Sequence, residues 1–211
     1  MEAFFVGITG GSGAPYALSL VRALAAAGRR VHLSITESGL KVLSLECGLR
    51  LDPSAPDLAS FRRGSEGEVL YHPIGAIEAP PSSGTHPVRG AVVVPCSMGT
   101  AARVAAGLSS NLVERVCDVA LKEGRTLVLV PRETPLNRVH LDNLVRLAWA
   151  GATILPAMPG FYHRPRTVED LVDHVVGKIL DRLGVDHDLV RRWGEEPAGE
   201  EDFFPHAPRR G

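Results

Sequence analysis

The fold is decided by Gly7–Leu24, "GITGGSGAPYALSLVRAL". An apolar run, Ala3 to Thr9, enters the cluster Gly10-Gly11-Ser12-Gly13. The chain leaves through Ala14-Pro15 into a segment whose Tyr16, Leu20, Val21 and Leu24 recur at helical spacing. The reading is a buried strand, a glycine-rich turn and a helix. Glycine permits positive φ and close approach to a ligand, and a helix N-terminus offers unpaired N–H groups and a positive dipole end. An anion, most often a phosphate, suits that place. No Gly-Lys-Ser/Thr follows and the G-x-G-x-x-G spacing is missing, so neither a Walker loop nor a dinucleotide fingerprint is present. A tight turn with no ligand would use the same residues, and the stretch alone does not choose.

Working outward, Arg29 to Thr36 predicts a second strand and Glu37 to Glu46 a short helix. From Gly48 to Gly90 the chain turns rich in Pro, Ser and Gly, with only "EVLYH" and "GAIEA" strand-like, and reads as a surface excursion. "GAVVVPCSMGT" (Gly90 to Thr100) is the clearest buried strand. Asn111 to Glu123 has helical pattern, Arg125 to Pro135 is another continuous apolar strand, Leu141 to Ala150 is helical, and Ala152 to Gly160 is the last strand. Val168 to Leu183 predicts a helix with Leu171, Val172, Val175, Val176, Ile179, Leu180 and Leu183 on one face, capped by Thr167 and Asp170. Continuous apolar strands alternating with helices imply a mostly parallel sheet covered on both faces. That is a three-layer, doubly wound α/β fold of the Rossmann/flavodoxin-like kind. Residues 1–185 form one domain, and 186–211 read as a tail, extended or ordered by a neighbouring subunit.

Composition narrows the function. The 211 residues suffice for one substantial core, and 23 basic against 24 acidic residues leave a formal net charge of −1. That balance argues against nucleic-acid or anionic-membrane partners, and 5% aromatics against single-strand stacking. Cys47, Cys96 and Cys117 form no C-x-x-C pair and no even framework, so neither disulfides nor a zinc site is expected, and a reducing cytoplasm fits. The N-terminal apolar run is short and unaccompanied by basic residues, and no apolar span approaches about 18 residues. A soluble, unexported protein is expected.

Ligands of doubly wound sheets sit outside the carboxyl ends of the strands. That rule selects Gly10 to Gly13, Pro95 to Thr100, Pro131 to Pro135 and Pro156 to Tyr162. "PCSMGT" offers the Ser97 and Thr100 hydroxyls and small-residue amides for a polar ring edge or a phosphate, although a plain helix start looks the same. Cys96 has no His nearby in sequence, so it is a poor nucleophile candidate. "VPRETP" sets Arg132, suited to a bidentate phosphate contact, beside Glu133, a carboxylate able to move a proton. A solvated loop could carry the same pair. "PGFYHRP" adds the Tyr162 hydroxyl, His163 and Arg164; Arg115 and Lys122 share one face of their helix.

"GITGGSGAPY", "VVVPCSMGT" and the long run from Asn111 to Gly184 closely resemble the flavin prenyltransferase family, the UbiX-like proteins. The resemblance is weakest between Gly48 and Gly90. It implies an enzyme that joins a dimethylallyl group from dimethylallyl monophosphate to reduced FMN, closing a fourth ring. The product, prenylated FMN, serves UbiD-like decarboxylases in pathways such as ubiquinone biosynthesis. It further implies no metal, and a large homo-oligomer, typically a dodecamer, with sites at subunit junctions.

Residue by residue, the resemblance gives Gly10, Gly11, Ser12 and Gly13 to the flavin-contacting turn, with Gly11 where the usual motif has Ala. Thr36 stands where a Ser often contacts FMN. Ser97, Met98, Gly99 and Thr100 match the second flavin loop, and Arg115 an FMN-binding arginine. Glu46, Lys122, Arg132, Glu133, Tyr162 and Lys178 match positions lining the prenyl phosphate site. Ser12, Glu46, Lys122 and Glu133 are the implied catalytic set, while Lys122, Arg132, Tyr162 and Lys178 hold phosphate. Lys178 replaces the more usual Arg, keeping charge without the bidentate fork. Trp193 resembles a tail residue that some members fold over the site. The alternatives are a flavin-dependent cysteine decarboxylase of the same fold, which a "PASANT"-like loop and a catalytic His would mark, and a flavin carrier without catalysis.

Overall fold

The structure, a computed structural model, describes residues 1–62, 65 and 67–190. Its strands are β1 (Ala3–Ile8), β2 (Arg30–Ile35), β3 (Glu68–Tyr71), β4 (Val88–Cys96), β5 (Thr126–Pro131) and β6 (Thr153–Ile154). Between and after them come α1 (Ala14–Ala26), α2 (Glu37–Cys47), α3 (Ala59–Arg62), α4 (Met98–Ala105), α5 (Leu112–Lys122), α6 (Arg138–Trp149) and α7 (Val168–Leu183). All six strands pair in parallel in the order β3-β2-β1-β4-β5-β6.

Period-two alternation within continuous apolar strands explains why both faces are covered. Phe4, Val6 and Ile8 point to one side with Val92, Val94, Val128 and Val130, against α1 and α7. Phe5 points to the other with Ala91, Val93, Leu127 and Leu129, against α4, α5 and α6. Leu20, Val21 and Leu24 of α1 are wholly buried. Each such side chain contributes about 1.5–3 kcal/mol by leaving water.

Local signals place most helix ends. Thr167 accepts from the Asp170 amide and Asp170 reaches back to the Thr167 amide, the reciprocal cap expected for α7. Asn111 caps α5 by accepting from the Glu114 amide. The chain departs from expectation in four places. "GAIEA" is a series of turns (Ala76 N–H to Pro73 O, Ile77 N–H to Gly75 O), because the segment from edge strand β3 must cross β2 and β1 to reach β4 and finds no strand to pair with. The predicted strand Arg125–Pro135 ends at Pro131, and the one over Ala152–Gly160 is regular only at Thr153–Ile154, although the Leu155 and Ala157 amides still donate to Leu129 O and Pro131 O of β5. Helix α6 begins at Arg138 rather than Leu141, since Asn137 caps it. Residues just past α7 fold back on it: the His187 ring reaches Asp181 at 3.3 Å. The position of Trp193 lies outside the described residues.

Candidate active site

In this strand order the winding direction reverses between β1 and β4, and the crevice beyond their carboxyl ends is where such sheets take ligands. Thr9 and Ser97 border it. The Thr9 hydroxyl donates to Pro95 O at 2.7 Å and accepts from the Ser97 amide at 2.8 Å, tying the two loops together. Nothing in the local pattern around Thr9 marked it; the signal is a hydroxyl at the end of an apolar strand.

Gly13 has φ +123°, a region closed to side-chain-bearing residues, and so turns the chain into α1. The first amides of that helix are not left for a ligand phosphate. Glu46 Oε2, from the last turn of α2, accepts from both Gly13 N and Ala14 N at 2.8 Å. The anion that the turn was expected to hold is thus a side chain of the protein. Partial burial pushes the Glu46 carboxyl up, but hydrogen bonds from the Ser12 hydroxyl and the Gly13 and Ala14 amides, with the Arg132 charge, outweigh it and hold the group below the usual carboxylate range. Arg132 Nε donates to Ser12 O at 3.2 Å. Ser12, Glu46 and Arg132 therefore form one charged cluster at the mouth of the crevice. Glu133 is exposed beside it, its carboxylate accepting from the Thr134 amide.

Across the crevice Ser97 caps α4, its hydroxyl accepting from Thr100 N and lying 3.0 Å from the Thr100 hydroxyl. Arg103 donates to Thr100 Oγ1 at 3.3 Å and its Nε to Glu114 Oε1. The Glu114 side chain has 0% exposure and also accepts from the Ser110 amide and the Asn111 side chain. Burial raises its pKa, and Arg103, Ser110 and Asn111 together bring it below the ordinary value. Sequence reading missed Arg103 and Glu114, which are ordinary charges on separate helices until packing joins them. The Met98 side chain is buried in the α4–α5 core, leaving its backbone for a ligand, while Gly99 is exposed. Thr36 caps α2 by accepting from Gly39 N. Burial pushes the Cys96 thiol up to about 12, which makes it a poor nucleophile.

The other expected site residues are held by separate elements. Arg115 pairs with Asp118 at 2.8 Å on α5. Lys122 closes the same helix, pairs with Glu123 at 2.6 Å and lies at the amino end of β5, the end of the sheet opposite the crevice. One chain does not bring Lys122 to Glu46. Tyr162 packs on α7 at His174, and Lys178 is exposed one turn further along that helix. Among the described residues no group of His, Cys, Asp or Glu is placed to hold a metal ion.

A Cβ on Gly11 would stand 3.4 Å from Pro95 Cβ and 3.6 Å from Ser97 N, so the turn and the second loop lie close together. Ser12, Thr36, Ser97, Thr100 and Arg132 all lie just past the carboxyl ends of β1, β2, β4 and β5. Fold and site together define a doubly wound α/β protein with a charged crevice at the switch point of its sheet.

The protein family described as "Flavoprotein" matches residues 2–180. The flavin prenyltransferase UbiX of Halalkalibacterium halodurans is 50% identical over 92% of this chain and 94% of its own length. Among solved structures, AnUbiX in complex with FMN and dimethylallyl pyrophosphate superposes with a TM-score of 0.82 at 35% identity, covering 91% of this chain and 97% of the other. A dodecameric FMN-dependent UbiX-like decarboxylase from Escherichia coli O157:H7 gives 0.79 at 38% identity, covering 91% and 99%. The chain belongs to the flavin prenyltransferase family, the UbiX-like branch of the flavoproteins. Cysteine decarboxylases at 15–18% identity share the fold alone.

Proposed function

We propose that this protein transfers the dimethylallyl group of dimethylallyl monophosphate to reduced FMN, giving prenylated FMN. The observation that carries the reading is the Ser12–Glu46–Arg132 cluster at the switch point, in which a carboxylate already neutralises the α1 terminus and leaves the arginine for a substrate phosphate. Reduced FMN, when bound, supplies the nucleophilic ring positions that accept the dimethylallyl carbons.

The chain's own residues supply the rest. Arg132, with Lys178 and Lys122, stabilises the negative charge that grows on phosphate as the carbon–oxygen bond breaks. Ser12 and Tyr162 orient that phosphate. Glu133, beside Arg132, takes the proton that ring closure releases, with the freed phosphate as its relay. Ser97, Thr100 and Thr36 hold the flavin's polar edge and phosphate, Arg115 adds a cation, and apolar walls keep water from the allylic cation.

Lys122 joins this set only from another subunit, because its own chain carries it at the far end of the sheet. A homo-oligomer, on the dodecameric pattern of the Escherichia coli neighbour, meets that need. On α6 Leu141, Val145 and Trp149 are 48%, 55% and 87% exposed at helical spacing, an apolar face suited to a second copy. Among the described residues no helix is long and apolar enough to cross a membrane. We place the enzyme in the cytoplasm, with a UbiD-like decarboxylase as recipient of its product. The test is anaerobic incubation with reduced FMN and dimethylallyl monophosphate: a flavin heavier by one dimethylallyl unit, with altered absorbance, is expected. Unchanged flavin overturns the reading.

A further inference from the structure

Tyr162 is held by a clamp that the reaction scheme does not explain. His174, in the second turn of α7, lies between the backbone of Gly160 and the Tyr162 hydroxyl: Gly160 N is 3.2 Å from its Nδ1, and the Tyr162 oxygen is 3.1 Å from its Nε2. A backbone amide only donates, so Nδ1 is the accepting nitrogen. In a neutral imidazole the single ring proton is then on Nε2, which donates to the Tyr162 oxygen. Burial first, then the His163 ring and the Lys178 charge, lower the His174 pKa, so the ring is neutral at pH 7.

Packing fixes the same arrangement. The His163 ring stacks on His174 at 4.7 Å and 2°, and the Tyr162 ring meets His174 edge-on at 5.6 Å and 80°. A Cβ on Gly160 would lie 2.9 Å from Tyr162 Cε1 and 3.4 Å from His174 Cε1, so only glycine lets the phenol settle here. Arg164 follows at φ +54°, backbone strain rarely tolerated in a residue with a side chain and one that marks a turn held in shape by its surroundings.

The donor inventory then has a chemical consequence. His174 cannot receive the Tyr162 proton, because its nitrogen facing Tyr162 carries one. The phenol is committed to donating elsewhere, and the bond it accepts strengthens the one it gives. We propose that His174 is a positioning residue that fixes Tyr162 as a hydrogen-bond donor to the phosphate of the prenyl substrate. The proposal rests on the reading of Tyr162 as a phosphate contact given above.

The experiment is a double-mutant cycle in the full chain, reading KM for dimethylallyl monophosphate alongside the Kd for FMN. Tyr162→Phe should raise that KM about tenfold, the loss of one hydrogen bond to a charged group. His174→Phe should raise it by a similar factor, and by nothing further in the Tyr162→Phe background, with the change falling on this KM and not on FMN affinity. His174→Gln and His174→Asn cover the case in which the phenylalanine variant does not fold. Glutamine reaches far enough to keep the donor to Tyr162 and should stay near the wild-type KM; asparagine keeps only the acceptor toward Gly160 and should behave like Tyr162→Phe. Equal KM values for Gln and Asn, or a wild-type KM for His174→Phe where Tyr162→Phe is impaired, overturn the role of His174 and leave Tyr162 standing. A wild-type KM for Tyr162→Phe overturns both.

Discussion

Glu46 Oε2 lies 2.8 Å from the Gly13 amide nitrogen, so the positive end of α1 is already neutralised by a carboxylate from the neighbouring helix. A helix terminus that reads as a phosphate site instead holds a side chain, and that side chain in turn fixes Ser12 and faces Arg132. Glu46→Gln keeps one oxygen to accept from the two N–H groups but removes the negative charge that faces them. The variant should lose about 1 kcal/mol of stability, in line with a missing N-terminal anion, and most of its turnover. Urea unfolding and flavin prenylation measure the two effects; full turnover would mean that Glu46 only caps the helix.

Glu114 is expected to govern the second loop. With its side chain at 0% exposure it satisfies Arg103, Ser110 and Asn111 at once, and Arg103 passes the restraint to Thr100. Glu114→Ala should cost about 2 kcal/mol, because buried donors lose their acceptor while the half-exposed Arg103 can turn to water. FMN should bind several-fold more weakly. Calorimetric titration checks this; unaltered affinity would separate the network from the flavin loop.

His32 makes the fold acid-sensitive. Its ring contacts His72 at 2.9 Å and His86 at 3.4 Å. Burial first, then His72, His86 and Arg30, lower its pKa to about 4. The unfolded chain takes up this proton near pH 6.5 and the folded one only near 4, so stability is full above pH 6.5 and declines as the pH falls toward 4. Discounted for solvent screening, the decline is about 2 kcal/mol. His32→Leu should flatten it, as urea midpoints at pH 7.5 and 4.5 would reveal.

Glu133→Gln keeps shape and hydrogen bonding but removes the carboxylate. Binding of both substrates should persist and turnover should fall about 10²- to 10⁴-fold, the usual contribution of a general acid–base group. Single-turnover kinetics decide it; a wild-type rate reduces Glu133 to a loop residue beside Arg132.

Lys122 and Glu133 lie at opposite ends of the sheet within one chain, so a shared site predicts complementation. Lys122→Ala and Glu133→Gln should each be nearly inactive alone, and mixed oligomers should recover part of the activity, because some sites then draw both wild-type residues from different subunits. No recovery on mixing would place the two residues in one subunit's contribution or exclude Lys122 from the chemistry.

The local code was legible wherever the physics is short-range. Continuous apolar strands such as the one from Ala3 called for a sheet covered on both faces, the spacing from Leu171 to Leu183 with Thr167 and Asp170 bounded α7 to the residue, and strand-end glycines marked the crevice. By the same logic local β-propensity misled at "GAIEA", where strand order left no partner. What only the tertiary structure decided are pairings between groups far apart in the chain. Thr9 meets Ser97, Glu46 closes on Gly13 in place of a ligand, and Arg103 and Glu114 share a buried charge. The helix that carries Arg115 carries Lys122 away from the crevice. Hydrogen bonds and ion pairs reward a few tenths of a nanometre, and residues separated by tens of positions reach that range only after the order of strands and the side on which each helix packs have been chosen.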